Sequence, residues 1–149
     1  MGIERNLDWD PKSDDDEFDM SCRNGTEDGE QIALMGWAAR AIFHRKFPEL
    51  RMLHAVPNGG ERNVVIATKL KATGVKAGVP DLFLDVARHG MHGLRIEMKR
   101  STIHGGSPSQ ASDKQLQWRD WYYDEGFGWA LACGWKEARD IIVAYLTPS

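Results

Sequence analysis

Two carboxylates and a lysine stand where strand geometry can bring them together. Asp81 follows Pro80 and opens the apolar run Leu82-Phe83-Leu84-Asp85-Val86. After the turn His89-Gly90-Met91-His92-Gly93, the segment from Leu94 to Lys99 alternates. Leu94, Ile96 and Met98 fall on one face, and Arg95, Glu97 and Lys99 on the other. The two runs predict a β-hairpin, with Asp81 at the start of one strand and Glu97 and Lys99 projecting from its partner. Such a grouping suits a hard divalent cation, Mg²⁺ or Mn²⁺, which prefers carboxylate oxygens. A bound cation polarises a phosphate and lowers the pKa of a coordinated water. A neighbouring ammonium orients that water and offsets developing negative charge. Phosphodiester hydrolysis has these requirements. Taken alone, Glu-x-Lys on a strand is frequent by chance, and its simplest reading is a surface ion pair of Glu97 with Lys99 or Arg100.

The surrounding pattern supplies elements to hold these residues. Residues 27–47 predict a helix with Ile32, Met35, Ala39, Ile42 and Phe43 as its apolar stripe. Thr26 is its expected N-cap and Pro48 its stop. A short strand is expected over residues 51–56, then a turn at Pro57-Asn58-Gly59-Gly60, then a helix over 61–73. Residues 74–81, with Gly74, Gly78 and Pro80, form a loop into the hairpin. A polar loop follows at 101–113 and a helix from about Ser112 to Glu125, rich in Trp118, Trp121, Tyr122 and Tyr123. A buried strand over 129–133 and a helix over 135–146 complete the chain, with Ala138, Ile141, Ile142 and Tyr145 on the helix's apolar face. This order predicts an α/β fold with a mixed β-sheet flanked by helices.

Composition narrows the partner. The chain has 149 residues, 42% hydrophobic and 28% charged, enough for one buried core. It lacks an apolar run of about 18 residues, so no membrane span is expected. It also lacks an apolar signal core, and Cys22 and Cys133 form no CxxC pair, which fits the cytoplasm. The net charge of -3 argues against nucleic acid, but it is unevenly divided. Residues 1–30 hold eleven acids and three bases, whereas residues 31–149 hold eleven acids and sixteen bases, net +5. The acid run Asp14-Asp15-Asp16-Glu17 repels itself. Residues 1–24 are therefore expected to be a flexible acidic leader, as a solubilising tail or a screen for a basic face. Residues 25–149 are a mildly basic domain compatible with a phosphate-bearing partner.

Several motifs in order carry a resemblance. Pro80-Asp81 followed by Glu97-Met98-Lys99 resembles the PD-(D/E)XK nuclease signature. Pro57-Asn58-Gly59-Gly60, Gly78-Val79-Pro80-Asp81, Ile96-Glu97-Met98-Lys99-Arg100 and then Gln115 resemble the virus-type replication-repair nuclease family, VRR-NUC, over roughly residues 27–146. The resemblance implies a restriction-endonuclease-like core. It implies Asp81 and Glu97 as metal-binding carboxylates, the Met98 carbonyl as a further ligand, and Lys99 as the catalytic lysine. It also implies an acid on the first helix. Glu27, four residues before Gln31, is favoured over Glu30. Gln115 is favoured over Gln110 and Gln117 as the supporting glutamine. Asn58, Gly59, Gly60, Arg62, Lys76 and Arg100 are expected to lie against DNA, whereas Lys69 and Lys71 are equally a solvated face. The implied activity is a Mg²⁺- or Mn²⁺-dependent endodeoxyribonuclease. A homodimeric Holliday-junction resolvase acting on four-way junctions is the leading expectation. A flap- or duplex-nicking enzyme and a catalytically silent branched-DNA-binding protein are the alternatives. His89 and His92 are expected to be exposed turn residues, and His54 and His104 receive no role. The aromatic residues of 118–129 are expected to be mostly core or dimer contacts, with base stacking the minority reading.

Overall fold

The computed structural model describes residues 4–57 and 63–149. Its elements in chain order are α1 (Asp15–Asp19), α2 (Glu27–Phe43), β1 (Leu53–Ala55), α3 (Val64–Ala72), β2 (Leu82–Leu84), β3 (Leu94–Lys99), α4 (Asp113–Asp124), β4 (Gly128–Cys133) and α5 (Trp135–Leu146). Short 3₁₀ turns occupy Met20–Cys22, Pro48–Met52 and Thr102–His104. Among the described residues, no helix is long and apolar enough to cross a membrane.

The strands form one mixed sheet in the order β1-β2-β3-β4. β2 pairs antiparallel with both β1 and β3, and β3 pairs parallel with β4 through the α4 crossover. The registers set the two faces. Leu82 opposes Ile96 and Leu84 opposes Leu94, and all four are buried together with Met98. α2 and α5 cover this face with Leu34, Trp37, Ala38, Trp135, Ala138 and Ile142, each 2% exposed or less. Burying an aliphatic side chain such as Leu34 or Ile142 contributes about 1.5–3 kcal/mol, so this layer is a large source of the fold's stability.

The stripe on α2 differs from the one its spacing suggested. Ile32 and Phe43 are 63% and 78% exposed, whereas Ala33, Leu34, Trp37, Ala38 and Ala41 are buried. Apolar residues surround much of this helix, so periodicity admits two stripes. The larger Trp37 and Leu34 define the one that meets the sheet. Thr26 caps the helix as expected, its side chain accepting from the Gly29 N–H at 3.0 Å.

Residues 10–22 do not trail in solvent, which corrects the expectation of a flexible leader. Phe18 and Cys22 enter the core. The indole N–H of Trp37 donates to the Pro11 carbonyl at 2.9 Å, and that of Trp135 donates to Asp19 at 2.9 Å. Three acids of the run, and Asp19 after it, meet cations. Asp14 and Glu17 bind Arg40, Asp15 binds the buried Arg139, and Asp19 binds Lys136. Charge repulsion within the run is offset by cations that lie far away in sequence, on α2 and α5.

The opposite sheet face carries Phe83, Arg95, Glu97 and Lys99. Alternation placed Arg95 and Glu97 on a polar face, yet both are buried, at 6% and 2% exposed. The Arg95 guanidinium lies 4.0 Å from the ring centre of Phe83, 4.4 Å from that of Phe127 and 5.2 Å from that of Tyr122. It also donates to Asp85 at 2.7 Å. Each such cation–π contact contributes on the order of 1 kcal/mol or more when desolvated. Arg95 thereby pins the C-terminal half of α4 to the sheet, and α4 holds Gln115 over Glu97.

Candidate active site

Asp81 is positioned by its backbone and its side chain together. Its carbonyl accepts from the Val56 N–H at 2.9 Å, tying it to the end of β1. Its Oδ2 accepts from the Met98 N–H at 2.8 Å. The N–H and C=O of a strand residue leave from the same strand edge, so the Met98 carbonyl also faces the Asp81 edge. The loop before Asp81 is seated on α4. Gly78 adopts φ +87°, and a Cβ there would lie 2.8 Å from the Lys114 backbone. Glycine alone fits this close approach.

Glu97 sits beside Asp81 on the buried strand β3. Its Oε1 accepts from Gln115 Nε2 at 2.7 Å. Its Oε2 is buried and has no hydrogen-bond donor among the described residues. Burial pushes the Glu97 carboxyl up to about 9, with the Asp81 charge and carboxyl–carboxyl pairing adding to the rise and Lys99 opposing it. Two carboxylate oxygens both accept, so that pairing is a hydrogen bond only when one carries a proton. In the ionised site the Glu97 carboxylate therefore has a like charge beside it, and Oε2 has no donor among the described residues. A cation is the natural replacement for that proton.

Gln115 sets the rest of the site. Ser112 and Gln115 form a capping box at the start of α4, with Gln115 N–H donating to Ser112 Oγ at 3.2 Å. Gln115 Oε1 accepts from the Ser112 N–H at 2.8 Å and from Lys99 Nζ at 3.1 Å. Two donors on Oε1 and a carboxylate on Nε2 leave one orientation of the amide. One side chain thus caps a helix, aims Lys99 and holds Glu97. The Ser-x-x-Gln spacing is a legible capping signal, and it marks Ser112 as a supporting residue.

The two candidate acids on α2, Glu27 and Glu30, separate clearly. Burial raises the Glu27 pKa, Lys99 opposes that rise and Asp81 adds to it, so Glu27 shares the field of the site. Glu30 is 1% exposed and accepts from the Trp135 N–H at 2.7 Å and from Cys22 Sγ at 3.3 Å. It caps the N-terminus of α5, where Gly134 has no side chain to do so. Gln117 and Gln110 are exposed and neither takes the place of Gln115.

The proposed DNA contacts divide. Asn58, Gly59, Gly60 and Arg62 lie outside the described residues. Lys76 is exposed, and Arg100 donates to the Gly105 carbonyl at 3.0 Å. Trp118 is half-buried and Trp121 is 50% exposed, so neither is a core residue.

The donor set fits a hard cation. Among the described residues no three His, Cys, Asp or Glu side chains gather closely enough to hold a metal alone. Asp81, Glu97 and a backbone carbonyl, completed by water, are nevertheless what Mg²⁺ takes, since it binds through one or two carboxylates and keeps several waters. The undonated Glu97 Oε2 is the observation that supports this fit.

Comparison with solved structures decides the family. A VRR_NUC domain protein is 34% identical, superposes with a TM-score of 0.65, and covers 81% of this chain and 88% of its own. The chain belongs to the VRR-NUC family. Membership implies a nuclease of the PD-(D/E)XK type, and the mixed sheet flanked by helices agrees with that fold. No protein-family model and no curated protein matches the sequence.

Proposed function

We propose that this VRR-NUC chain is a divalent-metal-dependent endodeoxyribonuclease that cuts branched DNA, with four-way junctions as its substrate and a homodimer as its working form. Its setting is the cytoplasm of a bacterial or phage-infected cell. The observation that carries the reading is the Glu97–Gln115–Lys99 chain beside Asp81. It joins two carboxylates to one aimed ammonium.

The reaction forms one P–O bond from water and breaks the bond to the 3′ oxygen, leaving a 5′ phosphate and a 3′ hydroxyl. Asp81, Glu97 and the Met98 carbonyl, with Glu27 nearby, would hold the Mg²⁺ or Mn²⁺. When bound, the cation supplies Lewis-acid polarisation of the phosphate and a more acidic water. Lys99 has three N–H bonds. One is committed to Gln115, and the others are available to the attacking water and a non-bridging phosphate oxygen. Gln115 keeps Lys99 from pairing directly with Glu97, so the ammonium stays directed at substrate. Arg100 and Lys76 contribute phosphate contacts on either side. A two-fold dimer presents two such sites to strands of opposite polarity, which suits junction resolution.

The test is cleavage of four-way junction, flap, single-stranded and duplex DNA with and without Mg²⁺ or Mn²⁺. Metal-dependent cutting of the junction, lost in Glu97→Ala while junction binding persists, is the expected result. Normal cutting by Glu97→Ala would overturn the site assignment. Cutting restricted to flaps or duplex would overturn the substrate, and a strict monomer in solution would undercut symmetric resolution.

A further inference from the structure

A groove of about 580 Å³ opens between α3 and α4, adjoining the site and lined by other residues. Leu70 and Lys71 of α3, Lys76 of the following loop, and Lys114, Trp118 and Trp121 of α4 are prominent in its lining. No acidic residue lines it among the described residues. The two indoles meet edge-to-face, with centroids 5.1 Å apart and planes at 83°. Trp118 is held in place by donation from its indole N–H to the Ala77 carbonyl at 3.1 Å. Trp121 remains 50% exposed, and no residue of α3 is buried. Two large aromatic side chains and a helix with no buried face are thus left at the surface, framed by three lysines.

The groove is continuous with the site. Trp118 follows Gln115 by three residues on the same helix, so the two share a face. Lys114 precedes Gln115, and its backbone is the surface on which Gly78 packs, three residues before Asp81. A strand whose scissile phosphate lies at Lys99 can therefore extend its next nucleotides along this groove.

We infer that this groove receives unpaired nucleotides of the DNA strand adjacent to the cut, with Trp121 stacking on a base and Lys71, Lys76 and Lys114 holding its phosphates. Bases inside a duplex hide their faces in the stack, so aromatic rings of this kind engage unpaired bases. The lysines match a polyanion. A second copy of this chain fits less well, because a two-fold contact sets each lysine cluster near its equivalent. The inference rests on the nuclease reading of the neighbouring site and adds that a junction is held there with nucleotides at its branch point unpaired.

Binding of the full chain without metal tests it independently of cleavage. The probes are a blunt duplex and the same duplex carrying a single-stranded arm with 2-aminopurine at its first unpaired positions. We expect 2-aminopurine fluorescence to change on binding. Trp121→Ala should weaken affinity for the armed DNA about tenfold and for the blunt duplex less than about twofold. Trp121→Phe should restore most of the difference, and Lys76→Ala should lower the salt dependence by about one phosphate contact. Equal effects of Trp121→Ala on both DNAs, or no effect on either, would overturn the proposal. Loss of self-association in Trp121→Ala, seen by sedimentation with DNA affinity unchanged, would assign the groove to a second copy instead. Absence of cutting by the wild-type chain with metal, alongside intact selective binding, would fault the nuclease reading and leave the groove assignment standing.

Discussion

Glu30 and Glu97 are both buried carboxyl groups, on helix α2 and strand β3, and their surroundings are opposite. Glu30 receives the Trp135 N–H and the Cys22 thiol, and its neighbours are the packed layer of α2 and α5. Glu97 receives one amide N–H from Gln115, leaves Oε2 without a donor, and has Asp81 beside it. A buried carboxylate surrounded by donors stabilises a fold. A buried carboxylate facing another carboxylate destabilises it until a cation arrives. The first arrangement is architecture, and the second is one that a bound cation would relieve. The same contrast separates the two sheet faces, one dry and filled, the other polar and incompletely satisfied.

The largest expected effect is at Glu97. Glu97→Gln should reduce cleavage by about a thousandfold or more, the scale seen when a group acting in the transition state is removed. The metal-free protein at pH 8 should be no less stable than wild type, as measured by denaturant unfolding. Marked destabilisation would place Glu97 in the same class as Glu30. Conversely, Glu30→Gln should cost roughly 1–3 kcal/mol of stability by removing one acceptor oxygen from a buried network. Cleavage per folded molecule should stay near wild type. A selective loss of cleavage there would erase the contrast between the two acids.

Gln115→Ala ranks next. It frees both Lys99 and Glu97, and loss of a residue that orients others around a metal site lowers activity or metal affinity by roughly 10–100-fold. Gln115→Glu should not rescue, because a second acceptor cannot donate to Glu97. An unchanged rate in Gln115→Ala would show that Lys99 needs no aiming.

The smallest effect, taken per pH unit, is a pH dependence. The folded-state pKa of Glu97, about 9, lies above the ordinary carboxylate range. The stability it contributes is therefore fully present at pH below about 4.5 and is lost as pH rises through about 9, at no more than about 1.4 kcal/mol per pH unit. Denaturant midpoints of the metal-free protein should fall across this window. Glu97→Gln should flatten the profile, and Mn²⁺ should restore the wild-type stability at the alkaline end. A profile identical in the wild type and in Glu97→Gln would remove Glu97 as its source.

Much of this was legible in the sequence because local rules sufficed. The capped helix α2, the hairpin strands around the turn at 88–91, and the final strand and helix follow period, caps and turn residues. Asp81, Glu97 and Lys99 are legible because strand alternation places them. What was not legible depends on partners distant in sequence. Arg95 reads as a solvent-facing residue until Phe83, Tyr122 and Phe127 assemble around it. The acid run reads as self-repelling until Arg40 and Arg139 appear opposite it. Two apolar stripes compete on α2, and the sheet chooses between them. Glu27 and Glu30 stand within one helical turn, and only the position of α5 shows which one is already spoken for.

The central claim is that the Asp81–Glu97 pair exchanges a proton for a divalent cation. Calorimetric titration of Mn²⁺ into the wild-type chain near pH 7, in buffers of differing ionisation enthalpy, measures this directly. We expect binding accompanied by release of about one proton, and weaker binding without proton release in Glu97→Gln. Mn²⁺ binding with no proton release, or binding unchanged in Glu97→Gln, would contradict it.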